Sequence, residues 1–188
     1  MTNTLNKRPK VFGIGWHKTG TKSLNRALMR LGYRPSPWNI DLVMRWHEGH
    51  IAQILHQAAQ ADAFDDFPWP LVFRELDRAF PDARFILTTR RDDATWLASA
   101  QKHMARRRWV GHYLIYGSYD AFADPEPFVR RYREHNAAVR EYFVNRPGKL
   151  LDICFERGEH WKPLCAFLGA AGEPNEPFPH QNTAAAPW

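Results

Sequence analysis

The sequence predicts an α/β fold, a single three-layer domain with a mostly parallel central sheet. Short apolar segments alternate with longer helical ones, a pattern typical of a parallel sheet covered by helices on both faces. The 188 residues, of which 44% are hydrophobic, suit one sizeable core and are too few for two. We therefore expect one domain over residues 1–188, with a flexible stretch at residues 1–9 and a surface-wrapping tail at residues 170–188.

In the first half of the chain, apolar runs and turn residues set the predicted elements. Gly32 stands where a helix C-cap belongs, Asp41 suits the cap or first turn of the next helix, and Pro81 ends a third. In order, these elements are a strand at residues 10–15, helices at 22–31 and 41–60, a strand at 63–66 and a helix at 70–80.

In the second half, the apolar run from Phe85 to Thr89 predicts a buried strand. Residues 109–124 are aromatic and contain glycine, which predicts a loop or lid. The predicted order is a strand at residues 84–89, helices at 94–107 and 125–143, a strand at 150–155 and a helix at 161–168.

Residues 11–24 read Val-Phe-Gly-Ile-Gly-Trp-His-Lys-Thr-Gly-Thr-Lys-Ser-Leu, a strand that runs through a Gly/Thr loop into a helix. Such a P-loop-like corner aims backbone N–H groups and the positive end of the helix dipole at one point, where phosphate binds. The spacing departs from G-x-x-x-x-G-K-[ST], because Thr21 stands between Gly20 and Lys22. A tight turn that only needs glycine is the alternative. The residues expected to bind a phosphorylated nucleotide are Lys18, Thr19, Gly20, Thr21, Lys22 and Ser23.

The order Lys18-Thr19-Gly20-Thr21 resembles the 5′-phosphosulfate loop of sulfotransferases. The resemblance covers most of the chain and points to a short bacterial-type sulfotransferase-like group. It implies 3′-phosphoadenosine 5′-phosphosulfate (PAPS) as the donor, adenosine 3′,5′-bisphosphate as the product, and no metal. In such a site, Lys18 would stabilise the negative charge that grows on the bridging oxygen as the sulfuryl group leaves.

A second element that resembles sulfotransferases follows the strand at residues 84–89, where seven residues separate Arg91 from Ser99. In that family, an arginine and a serine so arranged bind the 3′-phosphate of the nucleotide. Guanidinium is a planar donor that matches phosphate oxygens, and serine adds a short one. Arg90 competes for this role, and the alternative is that Arg91 is an ordinary residue at a helix entry.

The catalytic base is expected at Asp66, two residues before Pro68, where the cytosolic sulfotransferases carry a histidine. The acceptor must lose a proton as it attacks sulfur, and a carboxylate within reach can take it. The alternative is that Asp65 or Asp66 caps the following helix. His17, inside the loop, is a second candidate base or a residue that orients the loop.

Two departures from the family pattern are visible. Lys22 stands where many relatives have a hydroxyl residue, which is similar to the Lys-Gly-Gly-Thr-Arg loop of carbohydrate sulfotransferases. The Arg-Lys-Gly element near the C-terminus of the cytosolic enzymes is replaced by Pro177-Phe178-Pro179-His180-Gln181-Asn182. The role of this segment stays open.

The net charge of +6 and the pI of 9.5 suit an anionic ligand. Arginine runs such as residues 106–108 would also suit nucleic acid, but no nucleic-acid motif accompanies them, so we expect no such partner. No apolar run approaches 18 residues, so no membrane span is expected. Cys154 and Cys165 suit reduced core residues of a cytoplasmic protein, and neither has the spacing of metal ligands.

The expected acceptor is a small molecule or a carbohydrate, and the oligomeric state stays open. Seven aromatic residues are candidates to line its pocket, namely Trp38, Trp46, Trp69, Trp109, Tyr113, Tyr116 and Tyr119.

Two other functions compete with sulfuryl transfer. A small-molecule kinase with a distorted P-loop would use ATP·Mg, with Ser23 after Lys22 and an acidic residue at position 65 or 66 to hold the metal. A catalytically silent nucleotide-binding module would keep the phosphate loop but lack a base.

Overall fold

A computed structural model describes residues 8–179 of the chain. Its centre is one sheet of four parallel strands in the order β2-β1-β3-β4. The strands are β1 (Val11–Gly13), β2 (Ala63–Phe64), β3 (Arg84–Thr88) and β4 (Leu150–Ile153). The predicted α/β fold with a parallel sheet is therefore confirmed. The chain passes from β1 to β2 on one side and to β3 on the other, and a ligand crevice is expected where the order reverses.

Eight α-helices and two short 3₁₀ turns connect or follow the strands within residues 8–179. The 3₁₀ turns cover Trp69–Val72 and Phe155–Arg157. The helices are α1 (Thr21–Arg30), α2 (Asp41–His47), α3 (Ile51–Ala58), α4 (Phe73–Ala79), α5 (Asp93–Arg106), α6 (Val110–Tyr116), α7 (Glu126–Phe143) and α8 (Trp161–Leu168).

The three layers follow from the alternation of side chains along the strands. Phe12 and Phe85 point to one face of the sheet, where they pack against α3, α4 and α7. Val11 and Ile86 point to the other face, against α1 and α8. A third apolar cluster, centred on the fully buried Trp96, joins α5, α6 and α7 beneath the loop that follows β1. This cluster supports the site from below.

Two predicted elements are wrong. The helix expected over residues 41–60 is broken at Gly49, whose φ of 78° lies in the left-handed region that ends helices. The loop expected over residues 109–124 contains α6, because Ile115 and Tyr116 bury their side chains in the third cluster and stabilise the helix by packing.

The described part of the C-terminal tail packs on α8 and α1. Phe178 is 5% exposed and lies 5.0 Å from Trp161, measured between ring centroids. Arg30 donates to the Pro177 carbonyl oxygen at 3.0 Å. Residues 180–182 belong to the C-terminal segment whose role stays open, and they lie outside the described residues. Most of residues 1–9 lie outside them as well. Within residues 8–179, no helix has the length and apolar character needed to cross a membrane.

Candidate active site

A cavity of about 1260 Å³ lies at the carboxyl ends of the strands. The loop after β1, the Asp65–Asp66 turn after β2 and Arg90 after β3 all line it. Of the residues predicted to bind the nucleotide or to act in catalysis, only Arg91 does not line this cavity. Those that line it are His17, Lys18, Thr19, Gly20, Thr21, Lys22, Ser23, Asp66 and Ser99. The parallel sheet thus brings together segments that are far apart in the sequence.

The loop after β1 is fixed tightly to β3. A Cβ atom added at Gly15 would lie 1.9 Å from Thr88 Oγ1, so only glycine fits at this approach. Thr19 Oγ1 donates to the Trp16 carbonyl oxygen at 2.6 Å and accepts a hydrogen bond from Thr88 Oγ1 at 2.6 Å. Because the Thr19 hydroxyl proton is already used inside the loop, its role in the site is to hold the loop's shape.

The loop leads directly into the N-terminus of α1. Gly20 has a φ of 101° and precedes the helix, which has no side-chain cap among the described residues. The first backbone hydrogen bond runs from Leu24 N to Gly20 O at 3.0 Å. The first turn of α1 therefore starts at the cavity, and the backbone N–H groups and dipole of a helix N-terminus attract anions.

Lys18 carries its charge in an electropositive environment. Burial lowers its pKa, the carboxylate of Asp66 opposes that shift, and the nearby cations Lys22, Arg90 and Arg106 lower the pKa further. Such an environment favours an anionic ligand, which would relieve the repulsion between the cations.

Two neighbouring carboxylates differ in their contacts. Asp65 Oδ1 accepts a hydrogen bond from Asn25 Nδ2 at 2.6 Å, which ties the turn to α1. Asp66 Oδ1 accepts from the Phe67 backbone N–H at 2.9 Å, and Thr21 Oγ1 donates to its Oδ2 at 3.4 Å. Burial raises the pKa of both groups, to about 7 for Asp65. Neither the 3₁₀ turn at Trp69–Val72 nor α4 has a side-chain cap, so the capping alternative is wrong.

His17 is buried and lines the cavity. Its Nε2 is hydrogen-bonded to the Tyr116 hydroxyl group, and Trp16 Nε1 donates to the same hydroxyl oxygen at 2.7 Å. Trp96 Nε1 donates to the His17 carbonyl oxygen at 2.9 Å, which fixes the backbone as well. Burial lowers the pKa of the His17 ring far below its ordinary value, and the neighbouring His112 adds to this. The ring is therefore neutral at physiological pH.

The two arginines after β3 differ in the cavities they border and in the hydrogen-bond partners of their side chains. Arg90 lines the main cavity with Ser99, and its Nη1 donates to Glu156 Oε1 at 2.7 Å. Arg91 is exposed, donates through Nε to Thr95 Oγ1 at 3.1 Å and borders a separate cavity of about 440 Å³. Arg90 also borders this second cavity, so the residue lies between the two.

Several residues that line the cavity were not predicted from the sequence. Phe155 and Glu156 follow β4, whose carboxyl end lies at the same edge of the sheet as those of β1 and β3, and that topology was the available signal. His103 lies on α5, and His112 lies on α6, a helix that the sequence did not predict. Burial lowers the pKa of both rings to about 4, so they are neutral at physiological pH.

Three aromatic side chains, Trp38, Phe67 and Trp109, line the cavity together. The Trp109 ring centroid lies 5.9 Å from that of Trp38 and 6.5 Å from that of Phe67. Of the seven aromatic residues considered from the sequence, Trp38 and Trp109 line the cavity. Trp69 is buried in the core instead, and Tyr116 contacts His17 from below. Among the described residues, no group of three or more His, Cys, Asp or Glu side chains is arranged to hold a metal ion.

Comparison with known proteins adds independent information. A family model for the sulfotransferase domain matches residues 10–186, a range that includes every residue of the main cavity. The chain is also similar to Ava biosynthesis cluster protein M from Aspergillus versicolor. The two are 26% identical over an alignment of 213 residues, which covers 91% of this chain and 80% of the relative.

Proposed function

We propose that this chain, which belongs to the sulfotransferase domain family, transfers a sulfuryl group from PAPS. The acceptor is a hydroxyl or amine of a small molecule or carbohydrate. The observation that carries this proposal is the placement of Lys18 and Asp66 in one cavity, next to the N-terminus of α1. A cation for the leaving group and a carboxylate for the acceptor proton are the two groups that the reaction needs.

The donor would bind along the strand ends. We assign the 5′-phosphosulfate to Lys18, Gly20 and the first turn of α1, whose N–H groups are oriented for an anion. The 3′-phosphate is assigned to Ser99 and Arg90, since these two side chains line the same cavity. Arg91, which the family spacing selects, would have to turn away from Thr95 to reach the phosphate.

The reaction would proceed by direct displacement at sulfur. The acceptor oxygen or nitrogen forms a bond to sulfur while the bond from sulfur to the bridging oxygen breaks. The acceptor proton moves to the Asp66 carboxylate, and adenosine 3′,5′-bisphosphate leaves with the bonding electrons on its 5′-phosphate. Lys18 stabilises that developing charge more strongly in the transition state than in the ground state, which accelerates the step.

A thermal-shift titration tests the nucleotide specificity. Adenosine 3′,5′-bisphosphate should stabilise the protein more than AMP at equal concentration, and a ligand present at 100 times its Kd adds about 2.7 kcal/mol to the free energy of unfolding. Stabilisation by ATP·Mg in place of the bisphosphate would support a kinase instead.

Radiolabelled PAPS tests the reaction itself. Incubation with panels of phenols, aliphatic alcohols, amines and sugars should move the label to at least one acceptor class. Binding of the bisphosphate without transfer to any acceptor, and without slow PAPS hydrolysis, would indicate a nucleotide-binding module with no catalytic activity.

A further inference from the structure

The contacts of the Tyr116 hydroxyl group determine which nitrogen of His17 carries a proton. The hydrogen bonds of the Tyr116 hydroxyl group to Trp16 and His17 are buried, so water does not complete them. Trp16 Nε1 is only a donor, and it donates to the Tyr116 oxygen at 2.7 Å. The Tyr116 oxygen is also hydrogen-bonded to His17 Nε2.

One arrangement satisfies all three groups. If the Tyr116 O–H donates to His17 Nε2, every donor and acceptor in the chain of contacts is used. If His17 Nε2 donated instead, the Tyr116 hydroxyl proton would be buried without a described acceptor, which costs free energy. His17 Nε2 is therefore the acceptor, and a neutral imidazole with an accepting Nε2 carries its proton on Nδ1.

The Nδ1–H group is available to a ligand. Among residues 8–179 the structure gives His17 Nδ1 no hydrogen-bond partner, and His17 lines the cavity next to Lys18. The charged and titratable groups around the ring are Tyr116, His112, His103 and Lys18. None of these is an anion that would bind Nδ1–H in the free protein.

We propose that His17 donates a hydrogen bond through Nδ1–H to an oxygen of the phosphosulfate group, and that Tyr116 is the positioning residue that makes it a donor. This inference rests on the proposed function. His17 keeps its proton throughout the reaction, and the acceptor proton goes to Asp66 as described above. His17 then acts on the same group as Lys18, its neighbour in the loop, and is not the base.

The tautomer is measured first, on the wild-type protein without any ligand. Long-range ¹H–¹⁵N NMR correlations of the histidine rings, assigned through His17→Asn, should show a protonated Nδ1 and an unprotonated Nε2 for His17 at pH 7. Tyr116→Phe keeps the ring that stacks on Phe128 at 4.3 Å and removes only the hydroxyl. In that variant the His17 signals should shift toward the other tautomer.

Kinetics then separate a donor from a base. The asparagine amide of His17→Asn can place an N–H near the position of Nδ1, whereas the longer amide of His17→Gln reaches the position of Nε2. We expect His17→Asn to keep kcat within about tenfold, and His17→Gln to lose about 10²–10³-fold, as for a lost transition-state donor. Tyr116→Phe should lower kcat about tenfold with little change in the KM for PAPS.

Tyr113→Phe is the matched control, because it makes the same change on α6 at a residue that is 52% exposed. It should leave both the His17 spectrum and kcat unchanged. The inference is overturned if wild-type His17 carries its proton on Nε2. It is also overturned if His17→Asn and His17→Gln are equally inactive and the residual rate of neither variant shows the fall with decreasing pH that the wild-type rate shows. A wild type that shows the expected tautomer but neither binds the bisphosphate nor transfers sulfate would contradict the proposed function instead.

Discussion

Lys18 and Asp66 share a left-handed backbone conformation, with φ of 66° and 64°, and within residues 8–179 no other non-glycine residue has a positive φ. A long side chain disfavours this region, although aspartate tolerates it better. Both residues line the main cavity. Because strained conformations concentrate at functional sites, this coincidence supports a joint role for the two residues.

Lys18 and Asp66 also influence each other electrostatically. Burial lowers the pKa of Lys18 and raises the pKa of Asp66, and the charge of each partner opposes the shift in the other. Removing one charge would therefore alter the titration of the other group, so single variants need a pH profile as well as a rate at one pH.

Lys18→Ala should lower kcat by about 10²–10³-fold, because the cation acts on charge that develops as the sulfuryl group leaves. The affinity for adenosine 3′,5′-bisphosphate should fall much less. Lys22→Ala is the comparison, since it removes a cation at the start of α1 and should act mainly on nucleotide affinity. Steady-state kinetics at saturating PAPS, together with bisphosphate titrations, separate the two effects. Unchanged turnover in Lys18→Ala would exclude its role in the chemical step.

Arg90→Ala should remove most of the preference for adenosine 3′,5′-bisphosphate over AMP, because its guanidinium lines the cavity with Ser99. Loss of one charge-assisted hydrogen bond corresponds to roughly 1.5–3 kcal/mol in the affinity ratio. Using a ratio cancels effects of the broken pair with Glu156. Arg91→Ala is the matched control and should keep the preference. The reverse result, measured by calorimetry, would assign the 3′-phosphate to Arg91.

The sequence was sufficient to predict the strand, loop and helix at residues 11–24 because this arrangement is local. The strand, the Gly/Thr loop and the helix are contiguous, so residues 11–24 reveal their arrangement by spacing alone. The position of Asp66 was also predictable, because parallel strands place their carboxyl ends at one edge of the sheet.

Other parts of the site depend on tertiary contacts and were not predictable. Arg90 and Arg91 are adjacent, and only the turn after β3 decides which one enters the main cavity. The α6 helix that carries His112 has glycine and aromatic residues, and it forms because its buried face packs against α7. Phe155 lies close to Gly20, where an added Cβ would be 2.7 Å from its ring, a contact between distant segments.

His135→Gln should weaken the dependence of stability on pH below 6.5. Burial lowers the pKa of His135 to about 4, so the unfolded chain takes up a proton as the pH falls from 6.5 toward 4 while the folded protein does not. The free energy of unfolding therefore decreases with falling pH, by about 1.4 kcal/mol per pH unit for one such group. Asp65, whose pKa is raised in the folded protein, makes the free energy of unfolding increase with falling pH. The informative quantity is therefore the difference in pH dependence between wild type and His135→Gln.

Urea unfolding of wild type and His135→Gln at several pH values between 4 and 7 measures that difference. The glutamine amide can still donate to the Ile14 carbonyl oxygen, which His135 Nε2 contacts at 2.7 Å. The same change at His56, whose ring is exposed on α3, controls for the substitution itself. Identical slopes for His135→Gln and wild type would show that His135 has the same pKa in the folded and unfolded protein, which would contradict the prediction.

Asp66→Asn should keep the fold and near-normal bisphosphate affinity while lowering the rate of transfer by roughly 10²–10⁴-fold, the usual contribution of a general base. Asparagine keeps the size and can still accept from Phe67 N, but it cannot take the acceptor proton. Because burial raises the pKa of Asp66, the wild-type rate should fall with decreasing pH through a value above that of an ordinary aspartate. This acidic limb should be absent in Asp66→Asn.

Asp65→Asn is the matched control, because the neighbouring carboxylate binds Asn25 and shapes the turn. It should lose far less activity than Asp66→Asn and should retain the acidic limb. An inactive Asp65→Asn beside an active Asp66→Asn would move the base to Asp65, whose raised pKa of about 7 also suits proton transfer. If both single variants and the double variant remain active, neither carboxylate takes the proton, and the acceptor must reach the sulfur already deprotonated. The cavity would then accelerate the reaction through Lys18 and the α1 N-terminus alone, by stabilising the leaving group.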